Sequence, residues 1–230
     1  MARLTRLAAV SVILASIAMG TGCGAARTPD EWLSMTISGL EGTDQYVYEG
    51  QSVTSLSNGV TYSPKAIKGV IVDHKELATQ TNAGVRSVSP SDMLLSLQKV
   101  NKTVSFGPEQ AGRNRLSLKV AVAEEDAKKL WSGYIRNEFE QLALNTPDND
   151  VPYKAEWEQE LERSRKELES RLATLSAQTD YEIIVDRSRM LPIELHETSV
   201  LAYAKKGGET EEKRDTVITF SSFGNADSEP

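Results

Sequence analysis

The chain has 230 residues, of which 39% are hydrophobic and 26% are charged, proportions typical of a folded domain rather than a disordered one. Its formal net charge of −7 argues against nucleic-acid binding, which depends on basic side chains that neutralise phosphates. A single cysteine excludes an intrachain disulfide, and two histidines without a second cysteine argue against a zinc site.

The N-terminus has the layout of a secretion signal. Arg3 and Arg6 precede an apolar run from Leu7 to Met19, which is followed by small residues at 20–22. A basic segment, an apolar segment and a small-residue cleavage site in this order are typical of signal peptides. The apolar run of about 13 residues is shorter than the ~20 residues that a membrane-spanning helix needs, which disfavours an uncleaved membrane helix.

Cys23 directly follows this cleavage site, and the arrangement resembles the lipidation signal of bacterial lipoproteins. The resemblance implies removal of residues 1–22, attachment of acyl chains such as palmitate to Cys23, and anchoring on the extracytoplasmic face of a bacterial membrane. Gly20 departs from the pattern, since an apolar residue is usual three places before the cysteine. An ordinary secretory signal that leaves Cys23 unmodified is the alternative. Without residues 1–22, which hold two basic and no acidic residues, the net charge becomes −9.

A short tether, residues 23–27, leads to the first predicted helix. Thr28 and Glu31 match a capping box with Pro29 between them, and apolar residues at helical spacing continue the helix to Leu40. The pattern then changes to alternation, which predicts an antiparallel meander of about three strands beginning near Tyr46. The turns of this meander are predicted at Asn58-Gly59, Asp73-His74 and 82–84, and its later strands at 65–72 and 76–81.

The same change from helix to strand follows twice more. A helix is predicted from Ser89, and then strands at 102–106 and 115–122. A third helix begins at Glu124, with three acidic residues in its first turn, and a long charged helix is predicted over 154–176. The predicted C-terminal strands are 181–186, 193–205 and 211–220, with a turn at 190–192 and a polar tail.

Runs of strands joined by tight turns favour an antiparallel sheet. The predicted fold is therefore α+β, a curved antiparallel sheet (a half-barrel) covered on one side by helices, plus the long charged amphipathic helix. It is expected as one domain over residues 28–222, with a tail at 223–230.

This outline is similar to the LolA/LppX-like lipoprotein-carrier fold. The N-terminal helix that leads into the Tyr46–Tyr48 strand, the Leu191-Pro192 turn within 186–195, and the final hairpin of 193–205 with 211–220 carry the resemblance. It implies a half-open barrel with a helical lid, in a family that binds lipids or lipoproteins or senses the state of the envelope. The long helix at 154–176 is not part of the basic pattern.

No catalytic motif stands out, and the sequence predicts a non-enzymatic protein without a cofactor. Asp73-His74 is interpreted as a turn and His196 as a surface strand residue, because neither has a partner at a recognisable spacing. Ser132-Gly133 and Ser57-Asn58-Gly59 lack the flanking glycine of a nucleophile elbow. The acidic segment 148–150 resembles a calcium loop but lacks its glycine and its distal glutamate.

Trp131, Tyr134 and Phe139 are the candidate lining of a cavity between sheet and helices. Aromatic residues at this spacing are also typical of a plain core-facing helix surface. The functional hypothesis is a membrane-tethered lipoprotein that binds an apolar ligand or an acylated partner in that cavity. The alternative is an envelope sensor or structural partner that docks through the helix at 154–176.

Overall fold

The computed structural model describes residues 26–79, 89–108, 114–144, 152–205 and 208–224, and within them four helices and eight strands. The predicted signal segment, Cys23, the turn at 82–84 and the acidic segment at 148–150 lie outside these residues. In chain order the elements are α1 (Pro29–Glu41), β1 (Gln45–Leu56), β2 (Lys65–Val72), β3 (Lys75–Thr79), α2 (Pro90–Gln98), β4 (Lys102–Phe106), β5 (Arg115–Val122), α3 (Glu124–Ala143), α4 (Lys154–Ala173), β6 (Ser176–Asp186), β7 (Leu191–Lys205) and β8 (Gly208–Gly224).

The eight strands form one open antiparallel sheet in the order β3-β2-β1-β8-β7-β6-β5-β4. The long β7–β8 hairpin lies at its centre, and the two shortest strands, β3 and β4, lie at its edges. This arrangement confirms the predicted α+β half-barrel.

The inward face of the sheet is set by alternation along each strand. Leu118, Ile183, Leu195 and Ile218 are in register across β5 to β8, and each is fully buried. On β1 the ring of Tyr48 lies against Gly69 of β2, where an added Cβ would come within 2.3 Å of the tyrosine ring. The helices cover this apolar face, so the core lies between them and the sheet.

Local sequence signals fix where the covering helices begin. The predicted capping box at α1 is present, with the Thr28 amide donating to Glu31 Oε2 at 2.7 Å and the Glu31 amide donating to Thr28 Oγ1 at 3.3 Å. Ser89 caps α2 in the same manner through the Asp92 amide, at 3.1 Å. Side chains at helical spacing then face the sheet: Leu33, Ile37 and Leu40 from α1, Met93, Leu94 and Leu97 from α2, and Ala127 and Trp131 from α3.

Several predicted boundaries are wrong, including the start of β6, which is Ser176 rather than 181. The charged helix ends at Ala173 rather than 176, because from Leu175 onward inward residues such as Ala177 and Thr179 alternate with exposed ones and pair with β7. β7 begins at Leu191, so Leu191-Pro192 belongs to the strand and the turn lies at 187–190. β8 spans Gly208–Gly224 rather than the predicted 211–220, and it packs the ring of Phe223 against Tyr46 at 6.2 Å.

Candidate functional site

Helices α3 and α4 form an antiparallel hairpin at one end of the sheet. Two ion pairs join them: Arg136 Nε to Glu169 Oε1 at 2.7 Å, and Arg165 Nη2 to Glu140 Oε2 at 3.1 Å. These hydrogen bonds lower the pKa of Glu169 and raise the pKa of both arginines. All four groups are solvent-exposed, so the pairs set the alignment of the helices more than they add stability.

A cleft of about 260 Å³ lies between this hairpin and strands β7 and β8. We call it the hairpin cleft. Most of its lining is apolar or aromatic: Ile135, Leu168, Leu172, Leu175, Leu201 and Tyr203. The rest is charged, with two carboxylates and two guanidinium groups: Glu138, Glu212, Arg171 and Arg214.

The apolar side of the cleft follows from the helical spacing of residues on α4 and the alternation of residues on β7. Leu168 and Leu172 are four residues apart on α4 and therefore share one face of that helix. Leu201 lies on the inward face of β7, two residues before Tyr203. Leu172, Leu175 and Leu201 are 5% exposed or less, so this wall is continuous with the hydrophobic core.

Arg214 is a cation on the inward face of β8. Its guanidinium carbon lies 4.7 Å from the centre of the Trp131 ring, a cation–π contact. Its nearest carboxylate is Glu212, at 3.6 Å from Nη2, which is longer than a hydrogen bond. Its Nε is shielded from solvent and has no hydrogen-bond partner among the described residues.

A chain of hydrogen bonds runs from α3 into the sheet beside this arginine. Trp131 Nε1 donates to Thr179 Oγ1 at 2.9 Å, and Thr179 Oγ1 lies 3.0 Å from Ser199 Oγ. Ser199 in turn donates to Glu197 Oε1 at 2.7 Å. Glu197 is 5% exposed, and burial raises the pKa of its carboxyl despite the Ser199 hydrogen bond and the charge of Arg214.

The three aromatic candidates all lie on α3, where Trp131 and Tyr134 are in contact, but they are not among the residues that line the hairpin cleft. Trp131 is 4% exposed, and Tyr134 meets it edge-on with ring centres 5.8 Å apart. Phe139 is half-buried beneath Arg165, whose guanidinium carbon lies 5.7 Å from the ring centre. Trp131 adjoins the cleft through Arg214, and the cavity-lining role of all three stays a prediction.

Some of the cleft-lining residues lie in an element that the sequence predicts, and others were not singled out. Leu168 and Leu172 lie on the long charged amphipathic helix that the sequence predicts at 154–176. Arg214 was not singled out, although it carries a signal: it is in phase with the inward positions Thr216 and Ile218 of the same strand. A charge at an inward position is a candidate functional residue that alternation alone can identify.

The other polar candidates lie apart from the cleft. Asp73 and His74 both adopt positive φ, 50° and 59°, and form the turn between β2 and β3, with His74 Nε2 3.0 Å from Asp44 Oδ1. His196 lies on the outer face of β7 beside Glu194, at a polar groove of about 490 Å³. Neither histidine belongs to a metal-binding group within the described part of the chain.

No known family and no curated protein matches the sequence. The solved structures that resemble the fold include two at 8% identity each. One shows lipid–protein interactions in lipovitellin, with a TM-score of 0.33 over 81% of this chain and 26% of that protein, so this chain spans about a quarter of its length. The other is a LolA superfamily protein from Nitrosomonas europaea, with a TM-score of 0.25 over 89% of this chain and 96% of that protein. Among the described helices, none is long and apolar enough to cross a membrane.

Proposed function

We propose that this protein is a non-enzymatic, membrane-tethered lipoprotein that holds an apolar ligand, or an acyl chain of an acylated partner, in the hairpin cleft. The observation that carries the proposal is the cleft itself, a space of about 260 Å³ with six apolar or aromatic lining residues between a sheet and a helical hairpin. Water in such a space is unfavourable, and apolar groups that replace it bind favourably.

The size of the cleft suggests the class of ligand. Pockets for drug-sized ligands usually measure about 300–1,000 Å³, so 260 Å³ suits one hydrocarbon chain better than a whole two-chain lipid. Each methylene group that it buries contributes ~0.8 kcal/mol. A chain of moderate length therefore gains useful affinity without any polar contact.

The polar part of the lining favours binding over catalysis. Its charged side chains are arginines and glutamates, and no serine, cysteine or histidine is among the described residues that line the cleft. A nucleophile with an adjacent base is the usual requirement for covalent hydrolysis. The cleft therefore supports a binding function.

Cys23 supplies the proposed membrane anchor. Attached acyl chains would hold the protein to the extracytoplasmic face of the membrane without a spanning helix. Because α1 begins at Pro29, the folded part starts six residues after the anchor. The cleft would then stay near the membrane, where acyl chains are concentrated.

Filling the cleft tests the ligand-binding proposal. In Leu168→Trp a half-buried cleft residue is enlarged, so we expect the variant to bind the fluorescent apolar probe 1-aminoanthracene at least about tenfold more weakly than wild type, a loss of roughly 1.4 kcal/mol. Leu161→Trp is the matched control, because it adds the same side chain to α4 at a position outside the cleft lining. Equal probe binding by both variants, or no binding by wild type, would contradict the proposal.

A second candidate is docking of a partner protein at the outer end of the hairpin. Because α3 and α4 are antiparallel, the C-terminal end of α3 and the start of α4 lie at the same end. Four large apolar side chains there are between 38% and 75% exposed: Leu142, Leu144, Tyr153 and Trp157. An exposed group of this kind favours the envelope-sensor or structural-partner alternative, with α4 as part of the docking surface.

A further inference from the structure

Arg214 brings a shielded hydrogen-bond donor without a partner to the hairpin cleft. A guanidinium carries five N–H donors; the Nε of Arg214 has no hydrogen-bond partner among the described residues, and its Nη2 forms a long ion pair with Glu212. The guanidinium rests on the Trp131 ring at 4.7 Å, and its carboxylate neighbour Glu212 is 3.6 Å away. Buried polar atoms of proteins are nearly always hydrogen-bonded, so the shielded Nε, in a side chain that is 28% exposed overall, is an exception that a bound hydrogen-bond acceptor would explain.

The other guanidinium of the cleft is already paired. Arg171 Nη2 donates to Glu167 Oε1 on the preceding turn of α4, and its guanidinium carbon lies 5.9 Å from the centre of the Tyr203 ring. Among the described residues that line the cleft, Arg214 is therefore the cation with a shielded donor, Nε, that a bound molecule could satisfy.

The charges around the cleft restrict what Arg214 accepts as a partner. Glu138 and Glu212 line the cleft together with the two arginines, so the lining has no net charge. Glu197, two strand positions away on the inward face, adds a further acid whose charge interacts with Arg214. A ligand carboxylate would approach these acids in a partly desolvated space, where like charges repel strongly.

We infer that Arg214 determines which polar end the ligand has, and that this end is an uncharged carbonyl group. The carbonyl of an ester- or amide-linked acyl chain accepts a hydrogen bond from the guanidinium without adding charge to a balanced lining. A free fatty acid has the same chain but brings a carboxylate next to Glu138 and Glu212. The inference rests on the proposed function and narrows it from apolar ligands to esterified or amide-linked chains.

Three molecules with the same ten-carbon chain separate the contributions of the apolar chain, the carbonyl group and a negative charge to binding: decane, methyl decanoate and decanoate. Each displaces 1-aminoanthracene from the full chain carrying Cys23→Ser, at pH 7 without detergent. We expect methyl decanoate to bind about tenfold more tightly than decane, since a hydrogen bond to a charged donor has that effect. Decanoate should bind more weakly than its ester.

Arg214→Met removes the donors but keeps an apolar side chain of moderate length. The preference for methyl decanoate over decane should fall to less than about twofold, while decane binds as before or more tightly. Arg214→Lys retains a cation over Trp131 without the guanidinium fork, and it should lose most of the preference as well. Arg163→Met, on the exposed side of α4, is the control that should keep the full preference.

The outcomes separate the inference from the proposed function. If 1-aminoanthracene does not bind at all, the hairpin cleft is not a ligand site and both fail. If decane and the probe bind but decanoate binds as tightly as its ester, the inference fails and the proposed function stands. Retention of the ester preference in both Arg214 variants would likewise overturn the inference.

Discussion

Glu197 is an acid at an inward position of the sheet, between the inward residues Leu195 and Ser199 of the same strand. It is 5% exposed and accepts a hydrogen bond from Ser199 at 2.7 Å. Burial raises the pKa of its carboxyl above the usual 4.5, so the folded protein holds this proton more tightly than the unfolded chain does. A raised acid pKa means that the free energy of unfolding decreases as the pH rises above about 4.5.

Glu197→Gln should therefore stabilise the protein at neutral pH. Glutamine keeps an oxygen that accepts from Ser199 but removes the buried charge, and the advantage over wild type should grow from pH 5 to pH 7. Urea unfolding at several pH values measures this difference. Glu49→Gln, at an exposed position of β1, is the control and should leave the pH dependence unchanged. A wild-type profile without any decline over this range would contradict the raised pKa.

At the residue scale, the sequence predicts what depends on near neighbours. The Thr28–Glu31 capping box is confirmed, and it could be predicted because both of its hydrogen bonds join residues three positions apart in the chain. The environment of Arg214 was not predictable in this way. Trp131 is 83 positions earlier in the chain, and only the pairing of β7 with β8 and the packing of α3 bring the two together.

At the scale of elements, strands with strict alternation were located well and helix ends less so. β2, β4 and β5 have the predicted bounds because turn residues or helix caps delimit them. The charged helix was overextended by three residues because its polar sequence continues into β6 without a helix-breaking residue. Pairing of Ser176–Gln178 with β7 determines that boundary, and this long-range interaction leaves little trace in the local sequence.

The helical hairpin is buried near Trp131 and exposed near Trp157. Substituting each tryptophan measures how much its part of the hairpin contributes to stability. Trp131→Ala removes a 4% exposed side chain that packs on Tyr134 and Arg214, so the free energy of unfolding should fall by about 3–5 kcal/mol. Trp157→Ala removes a side chain that is 38% exposed, and the change should stay below about 1 kcal/mol. Chemical denaturation measures both.

Trp157→Ala also tests whether a partner protein docks at the exposed end of the hairpin. A photocrosslinker at Glu160, one turn from Trp157, should capture a protein partner in cells if the exposed end is a docking surface. Trp157→Ala should then reduce the capture without unfolding the protein. Crosslinks to lipids alone, or capture that is indifferent to Trp157, would count against the second candidate function.

At the scale of the whole molecule, a lipid anchor would hold the folded part close to the membrane, whereas the net charge gives the attachment no support. The five residues 23–27 span at most about 3.5 Å each, so a lipidated Cys23 would hold the folded part within roughly 20 Å of the membrane surface. The net charge of −9 without residues 1–22 gives no attraction to anionic lipids, which bind polybasic segments. Attachment would therefore depend on the acyl chains alone.

Cys23→Ser should release the protein from the membrane fraction. Since the net charge without residues 1–22 is −9, release should be nearly complete even at low salt, and high salt should not detach the wild type. Fractionation of cells labelled with palmitate measures both location and acylation, and label should be present in the wild type and absent from the variant. An unlabelled wild type found in the soluble fraction would favour the ordinary secretory signal. In that case the hairpin cleft would have to acquire its ligand away from the bilayer, and its apolar wall would need to retain that ligand in water.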